Sequence, residues 1–171
     1  MIKIFKTKLR GVLKIQLDAF EDRRGVYLET YNEAFYRKHG VKAKFVQDDY
    51  SRSRKHVLRG FHGDKKTWKI ITCPLGRIYL VVVNCDTKSK RFGDWGSFVL
   101  SDKNHLQILV PPKHGLANLV LSDEAIFQYK QSTYYNPKAQ FSYKWNDTKF
   151  KVRWPIKNPI LSRRDKIGRR A

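Results

Sequence analysis

The residues best suited to chemistry in this 171-residue chain cluster in one stretch, "HVLRGFHGDKKTWKI" at residues 56–70. There His62 follows Arg59 by three positions, precedes Asp64 by two and precedes Lys69 by seven. An ordinary histidine titrates near pH 6.5 and can take up or release a proton at neutral pH. A fixed cation beside it can stabilise negative charge as it develops. Tyr129, in "AIFQYKQSTYY", is the second candidate. Alternation there sets Phe127, Tyr129, Gln131 and Thr133 on one face and Ile126, Gln128, Lys130 and Ser132 on the other. Together these types could carry out proton transfer. Spacing alone favours a blander reading of each: a strand histidine satisfied in the core, and a strand tyrosine packed with its hydroxyl tied off.

Other chemistries find less support. The histidines at 39, 56, 62, 105 and 114 form no H-x-H or H-x-x-x-H pair, and Cys73 and Cys85 have no metal spacing, so no metal site is expected and the cysteines read as buried free thiols. Without a Walker loop, a G-x-G-x-x-G turn or a G-x-S-x-G elbow, nucleotide-triphosphate hydrolysis and acyl transfer are not indicated. Thirty-six Lys+Arg against 15 Asp+Glu give a net charge of +21, which draws anionic partners such as nucleic acid, a nucleotide-linked substrate or acidic lipid. The basic residues are dispersed over almost every turn, unlike the localised stripe of a nucleic-acid surface.

These residues must be positioned by a β-rich frame. The length and a hydrophobic fraction of 41% suit one core and a single domain over residues 1–171. No run approaches the roughly 20 apolar residues of a membrane span, and a cytoplasmic protein is expected. Helical periodicity is confined to "YNEAFYRKHG", residues 31–40, with Asn32 as cap and Gly40 as stop. Elsewhere, "RGVYLETY", "KFVQDDYS", "WKIITC", "RIYLVVVNC", "DWGSFVLS", "LQILVPP", "NLVLS", "AIFQYKQSTYY" and "FSYKWND" read as strands of a mainly β sandwich or barrel. Strict alternation along "HVLRGFH" would face His56, Leu58, Gly60 and His62 one way and Val57, Arg59 and Phe61 the other. The charge-dense end, residues 157–171, is either a frayed tail or a loop that folds back.

The ordered set "EDRRGVYLETYNEAF", "FVQDDYSRSRKHVLRGFH", "KSKRFGDWGSFVLSDKNHLQILVPP", "LVLSDEAIFQYKQSTYYNP", "YKWND" and "WPIKNPILSRRD" resembles the dTDP-4-dehydrorhamnose 3,5-epimerase family, from residue 3 to residue 165. The resemblance implies a cupin-type jelly roll with a few short helices and no metal or other cofactor. It also implies a homodimer whose N-terminal strands cross to line the partner's site. The implied substrate is a nucleotide-diphospho-4-keto sugar, inverted at C3, C5 or both through an enolate, for capsule or lipopolysaccharide synthesis. By motif, His62 falls at the general base and Asp165 at the carboxylate that pairs with it, which would fold residues 157–171 back near the site. Tyr129 falls at the proton donor and Lys69 at the cation near O4. Glu29, Gln47, Asp49, Arg59, Gly63, Asp64, Tyr135 and Gln140 fall at substrate-contact positions, with Arg24 and Arg164 suited to the pyrophosphate.

The chain also departs from that pattern. Gly63 and Asp64 stand where the family commonly has an aromatic residue and glutamine, and Leu116 where it has histidine, with His114 two positions earlier. Asp49 replaces an expected asparagine and Gln140 an expected glutamate. A glycine after the base would leave room for a bulkier sugar, which points to a GDP-linked 4-keto heptose ahead of a dTDP-4-keto-6-deoxyhexose. A 3,4-ketoisomerase of nucleotide sugars is the alternative on the same scaffold, although such enzymes generally lack the Tyr129 context and "LSRRD".

Overall fold

The computed structural model describes residues 2–168. In chain order the elements are β1 (Lys3–Lys6), β2 (Leu13–Gln16), β3 (Ala19–Asp22), β4 (Gly25–Leu28), α1 (Glu33–Lys38), β5 (Gln47–Arg54), β6 (Leu58–Gly63) and β7 (Lys69–Leu75). They continue with β8 (Arg77–Asn84), β9 (Trp95–Ser101), β10 (Leu106–Val110), β11 (His114–Val120), β12 (Glu124–Gln131), a 3₁₀ turn at Pro137–Ala139, β13 (Phe141–Ser142) and α2 (Arg163–Ile167). One antiparallel sheet runs β1-β2-β10-β7-β12-β5 and a second β13-β6-β11-β8-β9, while β3 and β4 form a separate hairpin. This is the jelly roll of a cupin-type protein.

Alternation decides which side chains fill the space between the sheets. Ile71, Cys73, Ile108, Val110 and Ala125 come inward from the first sheet and meet Ile78, Leu80, Val82, Leu100, Leu116 and Val120 from the second. The opposite faces are covered too, which explains why β8 reads as an unbroken apolar run. Val81, Val83 and Ala117 pack under Phe150, with Trp154 and Tyr143 beside it. Ile15, Ile70 and Leu109 pack under Tyr36 of α1, whose N-cap Asn32 accepts from the Phe35 amide. Cys73 and Cys85 are free and buried, and burial pushes both thiols up to about 12. Among the described residues no helix is long and apolar enough to cross a membrane.

Strict alternation fails on β6, with consequences for the site. His62 pairs with Leu116 but Arg59 pairs with Asn118, so three steps on β6 match two on β11. The extra residue is a bulge, and it turns Arg59 and His62 to the same side instead of opposite sides. Phe61 is sent the other way, into the cluster with Phe150 at 5.6 Å. Gly60 sits at φ +131, and a Cβ there would overlap the Ala117 backbone, so the bulge depends on glycine. Likewise "FSYKWND" gives only the two-residue β13, because the chain then turns away to cover the second sheet.

Candidate active site

A cavity of about 210 Å³ opens between the sheets, lined by Asp49, Tyr50, Ser51, Arg59, His62, Lys69, Leu116, Asn118, Phe127 and Tyr129. His62 enters from β6 in one sheet, and Tyr129 and Lys69 enter from β12 and β7 in the other. A small ring held between them would have the imidazole on one face and the phenol on the other.

Both ring nitrogens of His62 are held. Nε2 lies 2.8 Å from Asp165 Oδ1 and Nδ1 lies 3.0 Å from Ser142 Oγ. Asp165 is only 3% exposed. The Gly60 amide donates to its Oδ1 at 3.1 Å and the Ser162 hydroxyl to its Oδ2 at 2.6 Å. Burial alone would raise this carboxyl, but hydrogen bonds from His62, Ser162 and Gly60 outweigh it and leave the pKa below the usual carboxylate value. Arg164 Nε donates to Ser142 Oγ at 3.0 Å, so the serine is free to donate its own proton to Nδ1 while Nε2–H faces Asp165.

The reach of Asp165 follows from the C-terminal segment. Ile160 forms a parallel bridge with Val57, and its amide donates to the His56 carbonyl at 2.8 Å. Ser162 then caps α2 by accepting from the Asp165 amide at 3.2 Å, which fixes Asp165 in the first turn.

On the facing wall, burial pushes the Tyr129 phenol up to about 12, with the Asp49 and Tyr135 charges adding to it, so it stays protonated at neutral pH. Lys69 Nζ lies 4.9 Å from the Tyr129 ring centroid. Burial lowers its pKa, opposed by Asp64 and Asp49 and reinforced by Arg164. No salt bridge to Lys69 exists among the described residues, which leaves its ammonium available to the cavity.

The remaining candidates divide into three groups. Gln47 Nε2 donates to Asp49 at 2.9 Å and its Oε1 accepts from the Tyr135 amide at 2.9 Å, linking the cavity to its neighbour. That neighbour, of about 450 Å³, is lined by Asp64, Tyr135 and Gln140 with Lys66 and Lys138. Asp64 is occupied as a turn residue: its Oδ1 accepts from the Lys66 and Thr67 amides and its Oδ2 from Gln140 Nε2. Arg24 and Glu29 are not brought to either cavity. Arg24 lies on the exposed β3–β4 hairpin paired with Asp22, and Glu29 accepts from Asn32.

The expected space beside Gly63 is absent. A Cβ there would collide with the His114 carbonyl and lie 2.6 Å from the Phe141 ring, so an aromatic group from β13 already fills the position. His114 turns its Nδ1 to the Pro112 carbonyl at 3.0 Å and lines a separate cavity with Arg10 and Arg91. Ser142, Ser162, Phe127 and Asn118 belong to the site without having been singled out from sequence. Only Ser162 had a local signal, the S-x-x-D pattern of a helix cap.

Comparison with known proteins identifies the family. Residues 6–170 match the dTDP-4-dehydrorhamnose 3,5-epimerase family. The dTDP-4-dehydrorhamnose 3,5-epimerase of Escherichia coli is 37% identical over 169 residues, covering 96% of this chain and 91% of that protein. Its counterpart from Salmonella typhimurium is 36% identical over 170 residues, covering 96% and 93%. Among solved structures, dTDP-4-dehydrorhamnose 3,5-epimerase from Bacillus anthracis, with TDP and PPi bound, has a TM-score of 0.95 at 32% identity and covers 100% of both chains. The dTDP-6-deoxy-D-glucose-3,5-epimerase of Legionella pneumophila, in complex with dTDP-4-keto-L-rhamnose, has a TM-score of 0.92 at 31% identity, covering 96% of this chain and 90% of that one. With residues 6–170 matched by the family and relatives of 36–37% identity covering 96% of it, the chain belongs to the dTDP-4-dehydrorhamnose 3,5-epimerase family of isomerases.

Proposed function

We propose that the protein inverts C3 and C5 of a nucleotide-diphospho-4-keto sugar, with His62 as base and Tyr129 as acid, supplying a sugar for surface polysaccharide. The observation that carries this reading is the opposition of the two groups on facing sheets, with Asp165 2.8 Å behind His62 and Lys69 beside Tyr129. The C4 ketone acidifies the neighbouring C–H bonds. Neutral His62 removes such a proton through Nδ1, once the Ser142 hydroxyl turns aside, and Asp165 stabilises the resulting imidazolium. The electron pair moves onto O4, where the Lys69 ammonium balances the enolate charge. Tyr129 returns a proton to the carbon from the opposite face, which inverts the centre, and solvent restores both groups.

For the nucleotide, dTDP leads, because the relatives compared above are named for dTDP sugars and one is solved with dTDP-4-keto-L-rhamnose. A GDP-linked 4-keto heptose loses its main support, since Phe141 occupies the room expected beside Gly63. It stays as a competitor because Leu116, which stands where the family has histidine, lines the cavity. We further propose a homodimer in which the β3–β4 hairpin brings Arg24 to the partner's site, supported by Phe20 and Tyr27, which are 61% and 69% exposed in the single chain.

The test is incubation with dTDP-4-keto-6-deoxyglucose in D₂O, with NMR of the product. Inverted C3 and C5, each carrying deuterium, is the expected result; a moved ketone with both centres intact would make the protein a ketoisomerase. A thermal-shift panel of dTDP, GDP, UDP and CDP identifies the nucleotide, since a ligand of the folded form raises Tm.

A further inference from the structure

One polar group on the wall of the cavity has no part in the chemistry above. Asn118 lies near the middle of β11, in the inward-facing row between Leu116 and Val120, and is 5% exposed. Its neighbours in that row belong to the apolar core, so packing alone would favour an aliphatic residue there. Among the described residues its side-chain amide has no hydrogen-bond partner in the protein, and what surface it retains is open to the cavity. The exposed edge of that amide can therefore bond only what enters the cavity, water when it is empty and a ligand when one is bound.

We infer that Asn118 is a specificity residue that hydrogen-bonds a hydroxyl of the bound sugar. An amide offers an N–H₂ donor and a C=O acceptor, and a hydroxyl answers both. A phosphate or a ketone only accepts and would leave Oδ1 unpaired. Position selects the sugar over the base. Leu116 pairs with His62 and Asn118 with Arg59, and two residues along a strand span ~6.8 Å. That is about the breadth of one sugar ring, whereas the base lies beyond the pyrophosphate. Ser51 and Phe127, opposite each other across β5 and β12, close the same cavity.

This inference rests on the proposed sugar substrate and sharpens which sugar is taken. The test compares the protein with Asn118→Leu, which keeps the branched shape and the number of heavy atoms and removes both polar atoms. The ligands are the nucleotide-diphospho-4-keto sugar and analogues each lacking one hydroxyl, read by kcat/KM for solvent deuterium exchange. The same series with a hydroxyl in place of the C4 ketone is read by Kd, so binding is measured whether or not turnover occurs.

Asn118→Leu is expected to lower kcat/KM and affinity for the parent sugar by about 10²-fold. It should leave unchanged the analogue that lacks the contacted hydroxyl, and bare nucleoside diphosphate should bind both proteins equally. An equal loss for every analogue, no loss for the parent, or weakened binding of the bare nucleotide would overturn the assignment. If no sugar exchanges but the selective loss of affinity persists, the proposed reaction fails and the role of Asn118 stands. Should Asn118→Leu fail to fold, Asn118→Ala, which removes both polar atoms without adding bulk, is measured against the same series with the same expected selectivity.

Discussion

The cavity between the sheets and the β3–β4 hairpin both carry residues that we propose meet substrate, yet they are built in opposite ways. In the cavity, His62 is fixed by Asp165 and Ser142, and Asp49 is held in part by Gln131, all residues far along the chain. On the hairpin, Arg24 is held among the described residues by Asp22 alone, two residues away, and both are exposed. The apolar side chains of the hairpin, Phe20, Val26 and Tyr27, are half or more exposed. Proton-transfer groups need tight positioning, so the fold supplies it from within. A cation that meets a pyrophosphate can be supplied by a mobile or borrowed element. Substitutions in the cavity should therefore strike kcat, while substitutions on the hairpin should strike binding and assembly.

The largest effect expected, short of losing the base itself, is at Asp165. Asp165→Asn removes the charge that stabilises imidazolium and should lower kcat by about 10³-fold, measured by product NMR under saturating substrate. It also has a pH signature. The folded-state pKa of Asp165 lies below its unfolded value of about 3.9, so its contribution to stability is full above that pH and is lost as pH falls through the folded value. Chemical denaturation should show wild type and Asp165→Asn converging in acid and separated at neutral pH.

Tyr129→Phe should come next, with inversion down by about 10²-fold while deuterium wash-in at C3 or C5 falls much less, because His62 still removes the proton. Equal losses in both readouts would place Tyr129 outside the acid role. On the hairpin, Arg24→Ala should raise KM by about 10-fold with kcat nearly unchanged. Phe20→Asp should give the same KM effect together with a monomer by light scattering. A monomeric Phe20→Asp with unchanged KM would detach the hairpin from the site.

The smallest effect sought is a gain. Burial lowers the Lys69 pKa, opposed by Asp64 and Asp49, so below the unfolded lysine value keeping the ammonium in the fold costs stability. Lys69→Met should raise Tm by a few degrees at pH 7 while losing activity, and the gap should narrow as pH rises toward the unfolded lysine value of about 10.4. A lower Tm would mean that Lys69 holds the fold instead of the enolate.

Much of the frame was legible in the sequence because it obeys local rules. Alternation located β5, β7, β8, β9 and β12 to within a few residues, and Asn32 and Gly40 bracketed α1. What escaped were features decided by distant partners. Alternation along "HVLRGFH" set Arg59 and His62 on opposite faces, and only the register against β11 reveals the bulge at Gly60 that unites them. Gly63 suggested vacancy because no local pattern shows that Phe141 will fill it. The pairing of His62 with Asp165, 103 residues apart, came from the family resemblance and not from periodicity or spacing. Ser142 and Asn118 left no signal, since their meaning lies in what the opposite strand presents to them.

The most direct test of the account is whether one imidazole serves both carbons. Wild type and His62→Asn are incubated in D₂O with the 4-keto sugar whose nucleotide stabilises the protein, and deuterium at C3 and C5 is followed by NMR. The account predicts that wild type labels both positions and that His62→Asn, folded with an unchanged far-UV spectrum, loses both by about 10³-fold or more. Persistent labelling of either carbon in His62→Asn would contradict it.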